Sequence, residues 1–350
     1  MNKADLLSLY PDELTELVLS IGEPKYRANQ IFTQIHKGVS PEDITNIGKE
    51  TKRKLLEVSY FSLPQIRLKL VSAIDGTVKY LFELSDGNTI ESVVMKYKHG
   101  NTICVSSQVG CRMGCAFCAS TIGGKVRDLS ASEILGQILT AQNDTGERIS
   151  NVVMMGIGEP LDNYDNVIRF LKLVGNENGL NIGYRHISLS TCGLVDKIDA
   201  LAKEAFPITL SISLHASNDE TRSSIMPINK KWGVNELLDA CLRYYIKTKR
   251  RISFEYTLIS GKNDSVSSAL ELASLLNKKL RPRSLRDPFP IHVNLIPVNP
   301  VNETEFSASD KAAVEKFAAT LEQKGIRATV RRRLGADINA SCGQLRRERS

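Results

Sequence analysis

Three cysteines stand at three-then-two spacing in the run Cys111-Arg112-Met113-Gly114-Cys115-Ala116-Phe117-Cys118. Three thiolates on so short a loop can converge on one inorganic centre. A structural zinc site wants four protein ligands, and no fourth Cys or His follows within about sixty residues. Cysteine thiolates are also the usual ligands of iron–sulfur clusters. A [4Fe–4S] cluster held by Cys111, Cys115 and Cys118 keeps one iron open for a substrate or cofactor. A buried structural triplet or an incomplete zinc knuckle is the plainer reading, but this spacing is far rarer than a lone Cys-x-x-Cys pair.

The elements that must position this loop follow from periodicity. An apolar run, Ile103 to Val109, leads into it. From residue 101 on, strand-like runs near 102–108, 150–156, 186–191, 207–214, 251–258, 291–297 and 327–332 alternate with helical patterns. Ser130 and Glu133 form a capping box before one helix. Val167, Phe170, Leu171 and Val174 mark the next, and Val234, Leu237, Leu238, Cys241 and Tyr245 a later one, with Cys241 in the core. Such alternation predicts an α/β fold with a parallel sheet. Six units and a seventh strand fall short of eight, so a partial (β/α)6-type barrel is expected. Upstream, residues 63–100 alternate like an antiparallel meander with turns at Asp75-Gly76 and Asp86-Gly87. Residues 1–62 read as a small helical unit: Leu14 to Ile21, Tyr26 to Lys37 with Gly38 as a stop, and a helix start at Ser40-Pro41-Glu42-Asp43. The expected division is 1–62, 63–100 and 101–350.

In parallel α/β architectures ligands gather at the carboxyl ends of strands. Gly156-Ile157-Gly158-Glu159-Pro160 follows the second strand; its glycines would let backbone approach a ligand, and Glu159 could accept from an ammonium. Ser190 ends the third strand, Ser213, Leu214 and His215 the fourth, and Asn299 the sixth. Each alone is an ordinary turn residue. Their recurrence on successive strands is the signal.

With 350 residues and 42% hydrophobic content the chain can bury a sizeable core. No apolar run has the length of a membrane span and no secretory signal pattern opens the chain, so a cytoplasmic protein is expected. Seven cysteines, an odd number, argue for metal or catalytic use over a disulfide framework. The net charge of +7 is matched by residues 276–350 alone, with 15 Lys+Arg against 8 Asp+Glu. Runs such as Arg331-Arg332-Arg333 and Arg346-Arg347 fit either a phosphate-backbone partner or a solvated basic face. Lys52, Arg53 and Lys54 form a second basic cluster that could grip RNA.

The spacing Cys-x-x-x-Cys-x-x-Cys resembles the radical S-adenosylmethionine signature. Its flanks, from Val105-Ser106-Ser107-Gln108 to Ala119-Ser120-Thr121, are similar to one branch, the RlmN/Cfr RNA methyltransferases, over nearly the whole chain. The resemblance implies a cluster whose open iron chelates S-adenosylmethionine. It implies that Gly158, Glu159, Ser190, Ser213, Leu214, His215 and Asn299 bind the rest of that cofactor. Cys342, in Ser341-Cys342-Gly343-Gln344-Leu345, corresponds to the family's methyl carrier, Cys104 to its partner in a transient disulfide, and Glu91 to the proposed base; from the residues alone, the two thiols could be ordinary buried ones and Glu91 a wet-face acid. Asn339 and Ser341 depart from the Asp and Ala common there. Cys192 carries no implied role. Implied partners are 23S rRNA, some tRNAs and a one-electron reductant such as flavodoxin or ferredoxin, acting on a monomer. Two molecules of S-adenosylmethionine are consumed per methylation. The family's C2- and C8-methylating branches share every motif quoted; Arg112-Met113-Gly114 and Val293 to Pro300 read closer to the C2 branch. A non-catalytic iron–sulfur or zinc RNA-binding protein is the alternative from another class.

Overall fold

The computed structural model describes residues 3–283, 285, 288–301 and 303–346. Arg347 and the centre of the proline-rich loop 281–290 lie outside the described residues.

Three helices open the chain: α1 (Pro11–Ser20), α2 (Tyr26–Ile35) and α3 (Lys49–Val58). The expected helix start at Ser40 is only a single 3-10 turn, Pro41–Asp43. The Ser40 hydroxyl bonds the Glu42 carboxylate and caps no backbone N–H, and the helix proper begins after Gly48. Leu14, Ile31, Phe32 and Leu55 join the same apolar core as the rest of the chain. Polar contacts lock the docking: Ser132 bonds Asp5 and Ser8, and the Arg169 guanidinium pairs with Glu13 and lies 4.2 Å over the Tyr10 ring.

Ten strands then form one sheet in strict chain order: β1 (Gln65–Val71), β2 (Val78–Glu83), β3 (Thr89–Tyr97), β4 (Gly100–Cys104), β5 (Ile149–Met154), β6 (Ile187–Thr191), β7 (Thr209–Ser213), β8 (Ile252–Leu258), β9 (His292–Pro297) and β10 (Arg327–Val330). β1 to β4 pair antiparallel; β4 to β10 are all parallel. The crossovers run through α4 (Ala131–Thr145), α5 (Tyr164–Val174), α6 (Val195–Glu204), α7 (Asp219–Ile225) with α8 (Val234–Thr248), α9 (Val266–Leu280) and α10 (Lys311–Gln323). This is the expected six-unit partial barrel; among the described residues no pairing closes β10 onto β1. The capping box forms as read, with Ser130 N donating to Glu133 at 2.9 Å and Glu133 N to Ser130 at 3.3 Å. Cys241 is fully buried.

The parallel strands alternate, which is unusual for strands covered by helices. On β7, Leu210 and Ile212 pack outward into the core while Thr209, Ser211 and Ser213 face the barrel interior; on β8, Ile252, Phe254 and Tyr256 do the same against Ser253, Glu255 and Thr257. The lumen is therefore polar, not filled with branched side chains as in a closed eight-fold barrel.

Candidate active site

One cavity at the carboxyl ends of the strands is lined by Cys111, Cys115, Cys118, Gly158, Glu159, Ser190, Ser213, His215, Asn299 and Cys342. The cysteine loop follows a two-stranded ribbon, Gln108–Gly110 with Lys125–Asp128. It is pinned by Ala116 N to Ile225 O (2.9 Å) and Ala119 N to Gly343 O (2.8 Å), and by Asp162, which Gln108 (2.9 Å), Lys125 (3.0 Å) and Arg112 all engage. Burial pushes the Cys111 thiol up to about 12 and raises those of Cys115 and Cys118. Thiols so placed ionise when a metal replaces their protons. Among the described residues no three such side chains converge closely enough to hold a single ion. An iron–sulfur cluster takes each thiolate on a different iron, so the three residues fit that group.

Gly156 and Gly158 line the cavity and also permit a close approach within the chain. A Cβ on Gly156 would lie 2.6 Å from the Val105 carbonyl oxygen, and one on Gly158, where φ is +102°, would lie 2.5 Å from Gln108 Cβ. The glycines let the loop after β5 press on the segment leading to the cysteines. Glu159 is held by Leu161 N–H (3.0 Å) and Cys192 N–H (2.8 Å), and burial raises its pKa. His215 accepts from Thr257 N–H at Nδ1 (2.9 Å), so its proton sits on Nε2; burial, with Arg222 nearby, lowers its pKa to about 3. Leu214 points into the core and does not line the cavity. Asn299 does, but its amide donates to the Cys342 carbonyl at 2.9 Å.

The C-terminal segment reaches the cavity because many elements hold it. Asp337 accepts from Ser72 Oγ (2.7 Å) and Ala73 N–H (2.9 Å), Asp75 accepts from Gly335 N–H (2.9 Å), Ser120 Oγ donates to Leu345 O (2.7 Å), and Gln344 donates to Pro300 O (3.0 Å). Asn339 sits at φ +49°, a left-handed position that asparagine tolerates well. Cys104 packs with Val93, Ala340 and Leu345 beneath this segment. Burial pushes its thiol up to about 12, and the nearby Cys342 adds to the rise. Cys104 and Cys342 are thus brought together.

Glu91 lies elsewhere. Cys104 pairs with Val93 across β3 and β4, so Glu91, two residues from Val93, shares its sheet face. Yet its carboxylate lines an adjoining cavity with Asn339, Gln344 and Arg346. Lys79 pairs with it at 2.5 Å and Arg346 N–H donates to it at 2.8 Å.

Two arginines escape sequence reading. Arg222 is fully buried in α7 and donates to the carbonyls of Leu214 (3.0 Å), Ser213 (3.1 Å) and Cys192 (2.6 Å) and to Asn229 Oδ1 (3.0 Å). It ties the ends of β6 and β7 together. Arg331, read as part of a surface run, instead turns inward, 3.3 Å from Met155 Sδ and 4.0 Å from Glu255. Only the two-residue alternation of β10 hints at this. Conversely, two cations of the Lys52–Lys54 cluster are paired, Arg53 with Glu50 and Glu57 and Lys54 with Glu23, while Lys52 donates to the Glu42 carbonyl.

A partial barrel with this cysteine loop at its mouth defines a radical S-adenosylmethionine enzyme, and the model of the Radical SAM superfamily matches residues 105–273. The model described as the ribosomal RNA large subunit methyltransferase N-terminal domain matches residues 4–61. A "Probable dual-specificity RNA methyltransferase RlmN" from Alkaliphilus oremlandii is 54% identical over 99% of both chains, and one from Clostridium novyi is 54% identical over 98% of both. The crystal structure of a radical SAM methyltransferase from Sphaerobacter thermophilus is 40% identical, superposes with a TM-score of 0.91, and covers 98% of this chain and 99% of that one. The chain belongs to the RlmN family of radical S-adenosylmethionine methyltransferases. As such it uses a [4Fe–4S] cluster and S-adenosylmethionine, and the non-catalytic reading falls. The C8 alternative is not favoured, since these relatives carry the RlmN name.

Proposed function

We propose that this enzyme methylates C2 of an adenosine in 23S rRNA and of an adenosine beside the anticodon in some tRNAs, acting in the cytoplasm as a monomer. One observation carries the reading: a single cavity holds Cys111, Cys115, Cys118 and Cys342, with Cys104 packed under the same segment. A methyl carrier and a resolving thiol are needed because an adenine amidine carbon is not nucleophilic and cannot take a methyl directly from a sulfonium.

Cys342 accepts a methyl from one S-adenosylmethionine. Cys111, Cys115 and Cys118 would hold the cluster, which, fed by a carrier such as flavodoxin or ferredoxin, would supply the one electron for reductive cleavage of a second S-adenosylmethionine. The methyl on Cys342 would give a hydrogen atom to the adenosyl fragment of that second molecule, its carbon would bond to adenine C2, and the adduct's one unpaired electron would pass back to the redox centre, leaving an acidified hydrogen on C2. Glu91, oriented by Lys79, takes the proton from that carbon. The Cys104 thiolate then attacks Cys342 sulfur; the sulfur–carbon bond breaks as the disulfide forms, its electron pair goes to the departing carbon, and that carbon takes a proton to become the methyl group of the released base. Glu159, Ser190, Ser213, His215 and Asn299 hold the cofactor, Leu214 through its backbone alone. Residues 1–62 form an accessory module, 63–100 the extension that anchors the carrier segment, and 101–350 the catalytic domain.

The test is nucleoside mass spectrometry after anaerobic incubation of reconstituted enzyme, reductant and S-adenosylmethionine with unmodified 23S rRNA or tRNA. 2-Methyladenosine is expected; 8-methyladenosine would move the enzyme to the other branch. Cys104→Ala should accumulate RNA covalently bound at Cys342, and normal turnover without adduct would remove Cys104 from the scheme.

A further inference from the structure

The lower half of the barrel encloses a cavity of about 450 Å³ that the reaction scheme does not use. It opens at the amino ends of the strands, away from the cysteines. Its wall is a hydrogen-bonded polar lattice: Ser188 with Ser211, Ser253 with His292, His292 with Thr329, each at 3.0 Å, and Asn294 with Glu255 at 2.6 Å. Three arginines, Arg185, Arg251 and Arg327, stand at its exposed rim. Among the described residues no carboxylate pairs with any of them. Glu255, the acid in the lining, is already engaged by Asn294 and Arg331. Like charges around a concave mouth repel unless an anion sits between them. Burial, and then Arg251 and Arg327, depress the His292 pKa to about 4, which registers the same positive field.

Two further features favour a nucleic-acid strand over a free ion. Arg331 lines this cavity, the cysteine cavity and the side cleft between β3 and β10, so one cationic side chain stands in the wall of all three. Along β10 and the residue just past it, the inward positions 327, 329 and 331 climb in steps of roughly 7 Å from the rim toward Cys342. In the wall of the lower cavity Tyr97 and His99 stack on each other at 5.2 Å, beside the basic track. A basic groove interleaved with rings is how single strands are held without sequence readout.

We propose that the lower lumen is a phosphate subsite for the RNA strand flanking the target adenine, with Arg185, Arg251 and Arg327 holding its backbone. This rests on the RNA reading above and deepens it.

The test is the salt dependence of affinity for an unmodified tRNA transcript and a 23S rRNA fragment, by fluorescence anisotropy, in wild type, Arg251→Gln/Arg327→Gln and the control Arg243→Gln. Arg243 is paired with Asp199 on the outer helices. Each lost phosphate contact flattens the log–log salt slope by about 0.7 for a single strand, so the double variant should lose about 1.4 and bind roughly tenfold more weakly at moderate salt. The control should match wild type. An unchanged slope in the double variant, with wild type binding and methylating RNA, would overturn the subsite and leave the methyltransferase reading intact. A flattened slope in an enzyme that forms no methyladenosine would keep the subsite and sink the other reading.

Discussion

Arg222→Leu isolates what holds the cofactor cavity in shape. The guanidinium is fully buried and spreads four hydrogen bonds over three carbonyls and one amide. Its replacement leaves those four acceptors without donors in a water-poor interior. An unsatisfied buried acceptor costs about 1–3 kcal/mol; part of that sum is recovered because the arginine no longer has to be desolvated. Summed over four acceptors and reduced by that recovery, the net destabilisation comes to about 3–5 kcal/mol. Two of the carbonyls belong to Cys192 and Ser213, which line the cavity, so affinity for S-adenosylmethionine should fall with stability. Arg222→Lys restores the charge but concentrates its donors at one point, and it should recover less than half of either loss. Urea denaturation midpoints and cofactor titration of the reconstituted protein read both quantities. On heating, the leucine variant should melt about 4–7 °C lower. A leucine variant within about 1 kcal/mol of wild type, with unaltered cofactor affinity, would refute the view that Arg222 ties β6 to β7.

His36 is buried against Phe32, ring centroids 4.0 Å apart, and neither ring nitrogen has a partner among the described residues. Burial lowers its pKa to about 4 from 6.5. Above pH 6.5 it is neutral in both folded and unfolded chains and adds no pH-dependent cost. Between pH 6.5 and 4 only the unfolded chain takes the proton, so about 3 kcal/mol of stability is lost as pH falls. His36→Leu should flatten the stability–pH curve across that window; an unchanged slope would exonerate His36. Cys111→Ala, Cys115→Ala and Cys118→Ala should each fail to retain iron and sulfide after reconstitution while keeping the wild-type far-ultraviolet spectrum. Full iron content in any of them would remove that cysteine from the ligand set.

Much of this molecule is local, and local features are readable along the chain. The cysteine loop is eight residues long, so that its three thiols share one cavity follows from connectivity. The βα alternation follows from two periodicities and from devices such as the Ser130–Glu133 capping box. Where local signals conflict, reading fails: Ser40-Pro41 resembles a helix start, but Asn46-Ile47-Gly48 interrupts before a full turn can propagate, and nucleation without propagation yields one 3-10 turn. The glycines after β5 were legible as close approaches but not as to what, because their neighbours are Val105 and Gln108, some fifty residues upstream.

The rest was decided in three dimensions. Cys104 meets the Cys342 segment because β1–β2 reaches round to hold Gly335–Asp337 and because the strands lie in chain order; residue types say nothing of that closure. Resemblance nominated Glu91 as a base, but only the fold gives it Lys79 and Arg346 as partners and seats it in the neighbouring cavity. Arg222 in Asp219-Glu220-Thr221-Arg222 reads as an ordinary helical cation, and Arg331 as one of a surface run. The direction a long cation takes is set by the nearest acceptors once the chain is folded. For these two that means carbonyls on β6 and β7 and a carboxylate on β8, far off in sequence and close only because the parallel sheet curls round them.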